Sequence, residues 1–167
     1  MKFVKSLSAL AVGSLMLAGA AHAEDGTYSQ KSLTPEVAVQ LTQATLEACR
    51  AEGYQVAVAV VDRGGNLQAL IRDRFAGPHT PVTAERKAYT ALSFKANTTD
   101  LAASTQPGMA SSGTRGIPKV LMLGGGVMIE SGGSLLGAIG VSGAPSGEAD
   151  QMCAEVGLEA IEDVLGF

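Results

Sequence analysis

Apolar positions along the chain change period several times, and each change marks an element. Met1 to Ala23 carries Lys2 and Lys5 ahead of an apolar run from Leu7 to about Ala21, and it closes on Ala21-His22-Ala23. That is the form of a secretory leader, with small residues at the recognition positions and an apolar run too short to span a bilayer. Cleavage after Ala23 is expected, leaving residues 24–167 as one domain, periplasmic or secreted, with no membrane anchor.

Thr34-Pro35-Glu36 opens a helix with a capping hydroxyl, a proline at the first helical position and an acid in the first turn. Its apolar face runs through Val37, Leu41, Ala44, Ala48 and Cys49, and Gly53 ends it. Gln55 to Val61 alternates valine with small residues, Asp62 to Asn66 reads as a turn, and Leu67 to Arg72 returns as a second strand, so a hairpin is expected. Gly77, Pro78 and Pro81 punctuate the next segment. Thr80-Pro81 then starts a helix reaching about Ala96, and a short helix follows from Asn97 to Ser104. Gln106 to Lys119 has no period and reads as a long loop.

Val120 to Gly143 places glycine clusters between three short apolar runs: Val120–Leu123, Val127–Ile129 and Leu135–Val141. Runs of this length read as strands, and the glycines between them as tight connections. The last run is apolar on both alternations and has Gly137 and Gly140 inside it, which predicts a central strand that another backbone, a helix or a flat ligand can approach closely. A final helix is expected from about Ser146 to Leu165. Helix, two strands, two helices, three strands and a helix make an α+β layer fold on a five-stranded antiparallel sheet.

Charge narrows the partners. Without Lys2 and Lys5 the chain has 10 basic residues against 16 acidic, a formal charge of −6, and no basic patch suited to nucleic acid. Alanine and glycine are abundant and aromatic residues make up 4% of the chain, so the core depends on close backbone approach. The small-residue surfaces this creates suit packing between subunits, and a homo-oligomer is expected. Cys49 and Cys153 are the two cysteines. An oxidising compartment favours their bridging; two thiols or a metal site remain the alternatives.

VAVAVVDRGGNLQALIR, ERKAYTAL, GGGVMIESGGSLLGAIGVSG and GEADQMCAEVGLEAI together resemble the GlcG/HbpS family, also called the DUF336 or haem-degrading domain. The resemblance covers about Leu33 to Leu165. It implies a profilin-like five-stranded antiparallel sheet with flanking helices, haem as cofactor in exported members, and oligomeric assembly. It also implies kinship with a domain found with corrinoid adenosyltransferases. The family's R-M-D-G-A-like segment is replaced by Arg72-Asp73-Arg74-Phe75-Ala76-Gly77.

Five residues are the leading candidates for holding a cofactor, with Arg115 a sixth. His79, the one histidine beyond the leader, is the candidate iron ligand, since a neutral imidazole is a common haem ligand. Arg72 and Arg74 suit propionates, as Arg115 also does. Lys87, in the family-like helix, can reach a ligand near the sheet or pair with Asp73 or Glu130. Met109, in the long loop, is a candidate second ligand, whereas Met122 and Met128 read as core. The G-x-S-x-G, H-E-x-x-H, phosphate-loop and C-x-x-C-H signatures are absent from the sequence, so no catalytic residue is assigned. The expected function is an exported protein holding haem non-covalently. The alternative is a sensory or accessory module that binds another small organic ligand without catalysis.

Overall fold

The computed structural model describes residues 26–166; the expected leader, with its expected cleavage site and His22, lies outside them. Helix α1 spans Pro35–Ala51, with the Thr34 hydroxyl accepting the Val37 N–H at its start. Strands β1 (Ala57–Asp62) and β2 (Leu67–Arg72) form the expected hairpin. Asp62 closes its turn by accepting the N–H groups of Gly64 and Asn66. Helices α2 (Thr80–Phe94) and α3 (Thr98–Ser104) follow. Strands β3 (Gly126–Ser131) and β4 (Ser134–Ser142) then turn at Gly132 and Gly133, whose φ angles of 54° and 71° suit a two-residue hairpin turn.

The sheet runs β2-β1-β4-β3, antiparallel throughout, and β4 is an inner strand as its two-sided apolar pattern predicts. It has four strands, not five. Val120–Leu123 makes no ladder because α2 side chains take up its backbone groups. Arg86 donates to the Lys119 and Val120 carbonyls, at 3.2 and 2.7 Å, and Thr90 Oγ1 accepts the Leu121 N–H at 2.8 Å. The segment becomes a wall clamped to a helix.

Strand alternation explains the layers. Val56, Val58, Val60, Ile139 and Val141 pack with Leu41, Leu46 and Ala154 from α1 and from α4 (Gly147–Glu159). The alternate residues Ala57 and Ala59 meet Ala84 of α2, while Val61 and Ala138 meet Ala88, Ala91 and Leu92. Large side chains thus face one pair of helices, and small ones let α2 approach from the other side.

The closing helix differs from expectation. α4 ends at Glu159, and a one-turn α5 (Glu162–Leu165) follows after Ile161 leaves helical geometry, at φ −122°, and buries its side chain in the core. The long loop is less irregular than its sequence suggests. It contains a short 3-10 helix, Ser112–Gly116, and Arg115 ties it down by donating to the Thr105 and Ala102 carbonyls at 2.6 and 2.9 Å.

Cys49 of α1 and Cys153 of α4 are bonded, with Cα atoms 5.2 Å apart. The two helices lie on the same sheet face, which is what bridging requires.

Candidate functional site

A cleft of about 800 Å³ opens between α2, the junction of α1 and β1, the wall at Leu121–Leu123 and the loop from β4 into α4. Its volume falls within the range of roughly 300–1,000 Å³ usual for small-ligand and cofactor sites. Tyr54, Phe75, Leu121, Leu123 and Pro145 supply apolar walls; Gln55, His79, Lys87, Ser142 and Asp150 supply polar groups.

Lys87 lies beneath it. Its side chain is 1% exposed, and Nζ donates to Asp150 Oδ2 at 2.7 Å and to the Val141 carbonyl at 3.0 Å. Asp150 Oδ1 accepts the Ala144 N–H at 2.9 Å, so one carboxylate fixes both the lysine and the loop that borders the cleft. Burial pushes the Lys87 ammonium down and the Asp150 carboxyl up from their ordinary values, and the attraction between them opposes both shifts. From sequence, Asp150 is legible only as an acid in the first turn of a helix, and Lys87 is expected to reach a ligand or to pair with Asp73 or Glu130. Neither of those is its partner.

Asp73 is engaged elsewhere. It is buried, and Arg50 of α1 grips it at both oxygens, at 2.7 and 2.9 Å. The Arg50 guanidinium, helped by the Arg74 N–H, lowers its carboxyl to about 2 against the opposing effect of burial. This pair pins to α1 the loop that carries Phe75 and leads to His79.

His79 is exposed and lines the cleft at the start of α2. Its carbonyl accepts the Thr83 N–H and hydroxyl, but its imidazole does not cap the helix. Phe75, 80% exposed, stands at the same mouth. Of the five cofactor candidates, the structure brings His79 and Lys87 to one cleft. Arg72, Arg74 and Met109 are exposed and do not line it. Arg72 folds its guanidinium back onto the Ala76 carbonyl. Arg115 is occupied with backbone carbonyls, Met122 is buried and Met128 is half-buried.

Gln55 was not singled out from sequence. Its Oε1 is buried in the cleft wall without a hydrogen-bond partner, an acceptor that a ligand or water donor would satisfy. No metal-holding group of three or more histidine, cysteine, aspartate or glutamate side chains occurs among the described residues. No described helix is long and apolar enough to cross a membrane.

An antiparallel sheet between helices, with a ligand-sized cleft beside it, defines the class of domain. The family described as haem degrading protein HbpS-like matches residues 33–159, and the chain belongs to that family. The crystal structure of a double mutant of Streptomyces reticuli HbpS matches with a TM-score of 0.77 at 36% identity, over 87% of this chain and 98% of that one. The structure of the PduOC:heme complex matches with a TM-score of 0.73 at 32% identity, over 78% of this chain and 95% of that one. Corrinoid adenosyltransferase PduO of Citrobacter freundii is 37% identical over 126 residues, which are 73% of this chain and 37% of PduO. The chain therefore spans little more than a third of PduO's length.

Proposed function

We propose that this protein is an exported haem-handling protein that holds haem non-covalently in the cleft bordered by His79. The observation that carries this reading is an exposed imidazole at the mouth of an 800 Å³ cleft with aromatic and aliphatic walls. It is supported by a family member, PduOC, whose crystal structure is a haem complex. The residues present fit the group. Tyr54, Phe75, Leu121 and Leu123 offer flat and apolar contact for a macrocycle, His79 offers an imidazole nitrogen for iron, and the Lys87–Asp150 pair fixes the floor beneath. Bound haem would supply iron-centred chemistry; this chain's part is to bind, orient and shield it. Arg74, on the loop before His79, would pair with a propionate from outside the cleft. In this reading residues 1–23 direct export, haem is loaded after translocation, and subunits assemble as dimers or multiples of dimers.

Haemin titration tests the cofactor. A saturable Soret band is expected, and acid extraction should release the haem because nothing holds it covalently. His79→Ala should weaken binding and shift the Soret maximum, while Arg74→Ala weakens it modestly with the spectrum unchanged. An unchanged spectrum and affinity in His79→Ala would overturn the iron assignment. N-terminal sequencing of exported protein should begin at Glu24, and light scattering should exclude a monomer mass.

A second reading rests on the polar floor. The orphaned Gln55 Oε1 and the Lys87–Asp150 pair suit a small organic ligand bearing both donors and acceptors, bound without iron. Absence of a Soret band, together with retention of such a ligand by protein purified from cells, would favour it.

A further inference from the structure

The loop before α2 holds the His79 imidazole against a residue that has no side chain. A Cβ built on Gly77 would stand 2.7 Å from His79 Cε1 and 2.9 Å from Nδ1, closer than non-bonded atoms approach, and 3.8 Å from Nε2. The Cε1–Nδ1 edge of the ring therefore occupies the space a side chain at residue 77 would fill, and Nε2 is the nitrogen farther from it. Gly77 itself is fixed. Its carbonyl accepts the Thr80 N–H at 3.0 Å and the Thr80 hydroxyl at 2.8 Å, and Thr80 is buried. Pro78 lies inside that turn and Pro81 stands in the first turn of α2, so two of the backbone φ angles around His79 are locked by pyrrolidine rings.

We propose that Gly77 is the positioning residue of the site: its bare α-carbon seats the His79 ring and turns Nε2 outward as the ligating nitrogen. This rests on the reading of His79 as iron ligand and adds what sets the ligand's place. The φ of Gly77 lies outside the left-handed region, so an alanine there is acceptable to the backbone, and the nearest atoms the added methyl meets are those of the His79 ring, which can give way by rotation. Gly77→Ala should consequently displace the imidazole and leave the fold intact.

The experiment compares wild type, Gly77→Ala and His79→Ala. In haem-free protein, proton–nitrogen correlation spectra of the imidazoles identify the His79 signals by their loss in His79→Ala. Those signals should move in Gly77→Ala while the thermal midpoint stays near wild type. On haemin titration, Gly77→Ala should bind about 10- to 100-fold more weakly, the usual effect of removing the support behind a metal ligand, with a Soret maximum shifted toward that of His79→Ala. Unmoved His79 signals in Gly77→Ala overturn the proposal. If His79→Ala loses haemin and Gly77→Ala binds as wild type, the positioning role falls and the iron ligand stands. If His79→Ala binds as wild type, the iron ligand falls, and the haem-free spectra still judge the seat. Should Gly77→Ala fail to fold, Thr80→Val removes one of the two bonds on the Gly77 carbonyl without adding volume. It must then shift the same signals in smaller measure, and unmoved signals in that variant overturn the proposal.

Discussion

Lys87 Nζ stands 2.7 Å from Asp150 Oδ2 with both side chains almost wholly out of solvent, and this contact joins α2 to the first turn of α4 beneath the cleft. Two desolvated charges stabilise a fold little more than apolar replacements of the same shape would, but removing one strands the other. Lys87→Met or Asp150→Leu alone should therefore cost about 3–5 kcal/mol. The double variant Lys87→Met, Asp150→Leu should cost far less than the two single costs added together. Urea unfolding of the four proteins gives the coupling energy. Additive losses would show that the pair is not what joins the two helices.

Arg50 and Asp73 make the second ion pair, and it sets an acid limit. The Asp73 carboxyl titrates near 2 in the fold, against 3.8 as its ordinary value. A carboxylate lowered in this way contributes stability at every pH above its unfolded value and loses it as pH falls from about 4 toward 2. The thermal midpoint should decline across that window. Asp73→Asn should be less stable at neutral pH and show a flatter decline. Because Arg50 is itself exposed and solvent screens it, Arg50→Ala should cost less than breaking the enclosed Lys87–Asp150 pair. Parallel pH profiles for wild type and Asp73→Asn would remove Asp73 as the source.

The Cys49–Cys153 bond closes a loop with a sequence separation of 104, worth about 4–5 kcal/mol in the chain-entropy treatment. Both sulfurs are buried between α1 and α4, so native protein should resist mild reductant and lose stability only when reduced after unfolding. Intact mass of unreduced protein should be two hydrogens lower than that of the reduced chain. Two thiols alkylated in the native, oxidised protein would contradict the bond.

Much of the fold was legible because its signals are local. Thr34-Pro35 caps α1, the valine–alanine alternation of β1 assigns large residues to one helix layer and small ones to the other, and the doubly apolar run of β4 marks an inner strand. Val120–Leu123 reads as a fifth strand because it has a strand's composition, while its backbone partners, Arg86 and Thr90, lie about 30 residues away on a helix. The site was harder for the same reason. His79 and Lys87 are conspicuous by residue type, but Asp150 and Gln55 matter through burial and partnership, which spacing does not encode. Arg72 and Arg74 are near His79 in sequence, yet neither lines the cleft, and Arg72 folds its guanidinium back onto the Ala76 carbonyl.

Gly140 tests whether close approach of α2 to the sheet is what shapes the cleft. An added Cβ there would lie 2.0 Å from the Ala84 carbonyl oxygen and 2.7 Å from the Ala88 N atom. Both are backbone atoms of α2, so no rotamer change relieves the contact and the helix itself must move away. α2 carries Thr83, Arg86 and Lys87 into the cleft, and Arg86 clamps the opposite wall, so the shift should reach the site as well as the core. Gly140→Ala should therefore cost at least the roughly 1–3 kcal/mol typical of overpacking and also alter ligand binding. Gly113 is the control: it lies in the loop, an added Cβ meets nothing within 4 Å, and its φ is not left-handed. Gly113→Ala should stay within about 0.5 kcal/mol of wild type. Equal unfolding midpoints for Gly140→Ala and Gly113→Ala would mean that the helix has slack against the sheet, and that the small residues of β1 and β4 do not set the depth of the cleft.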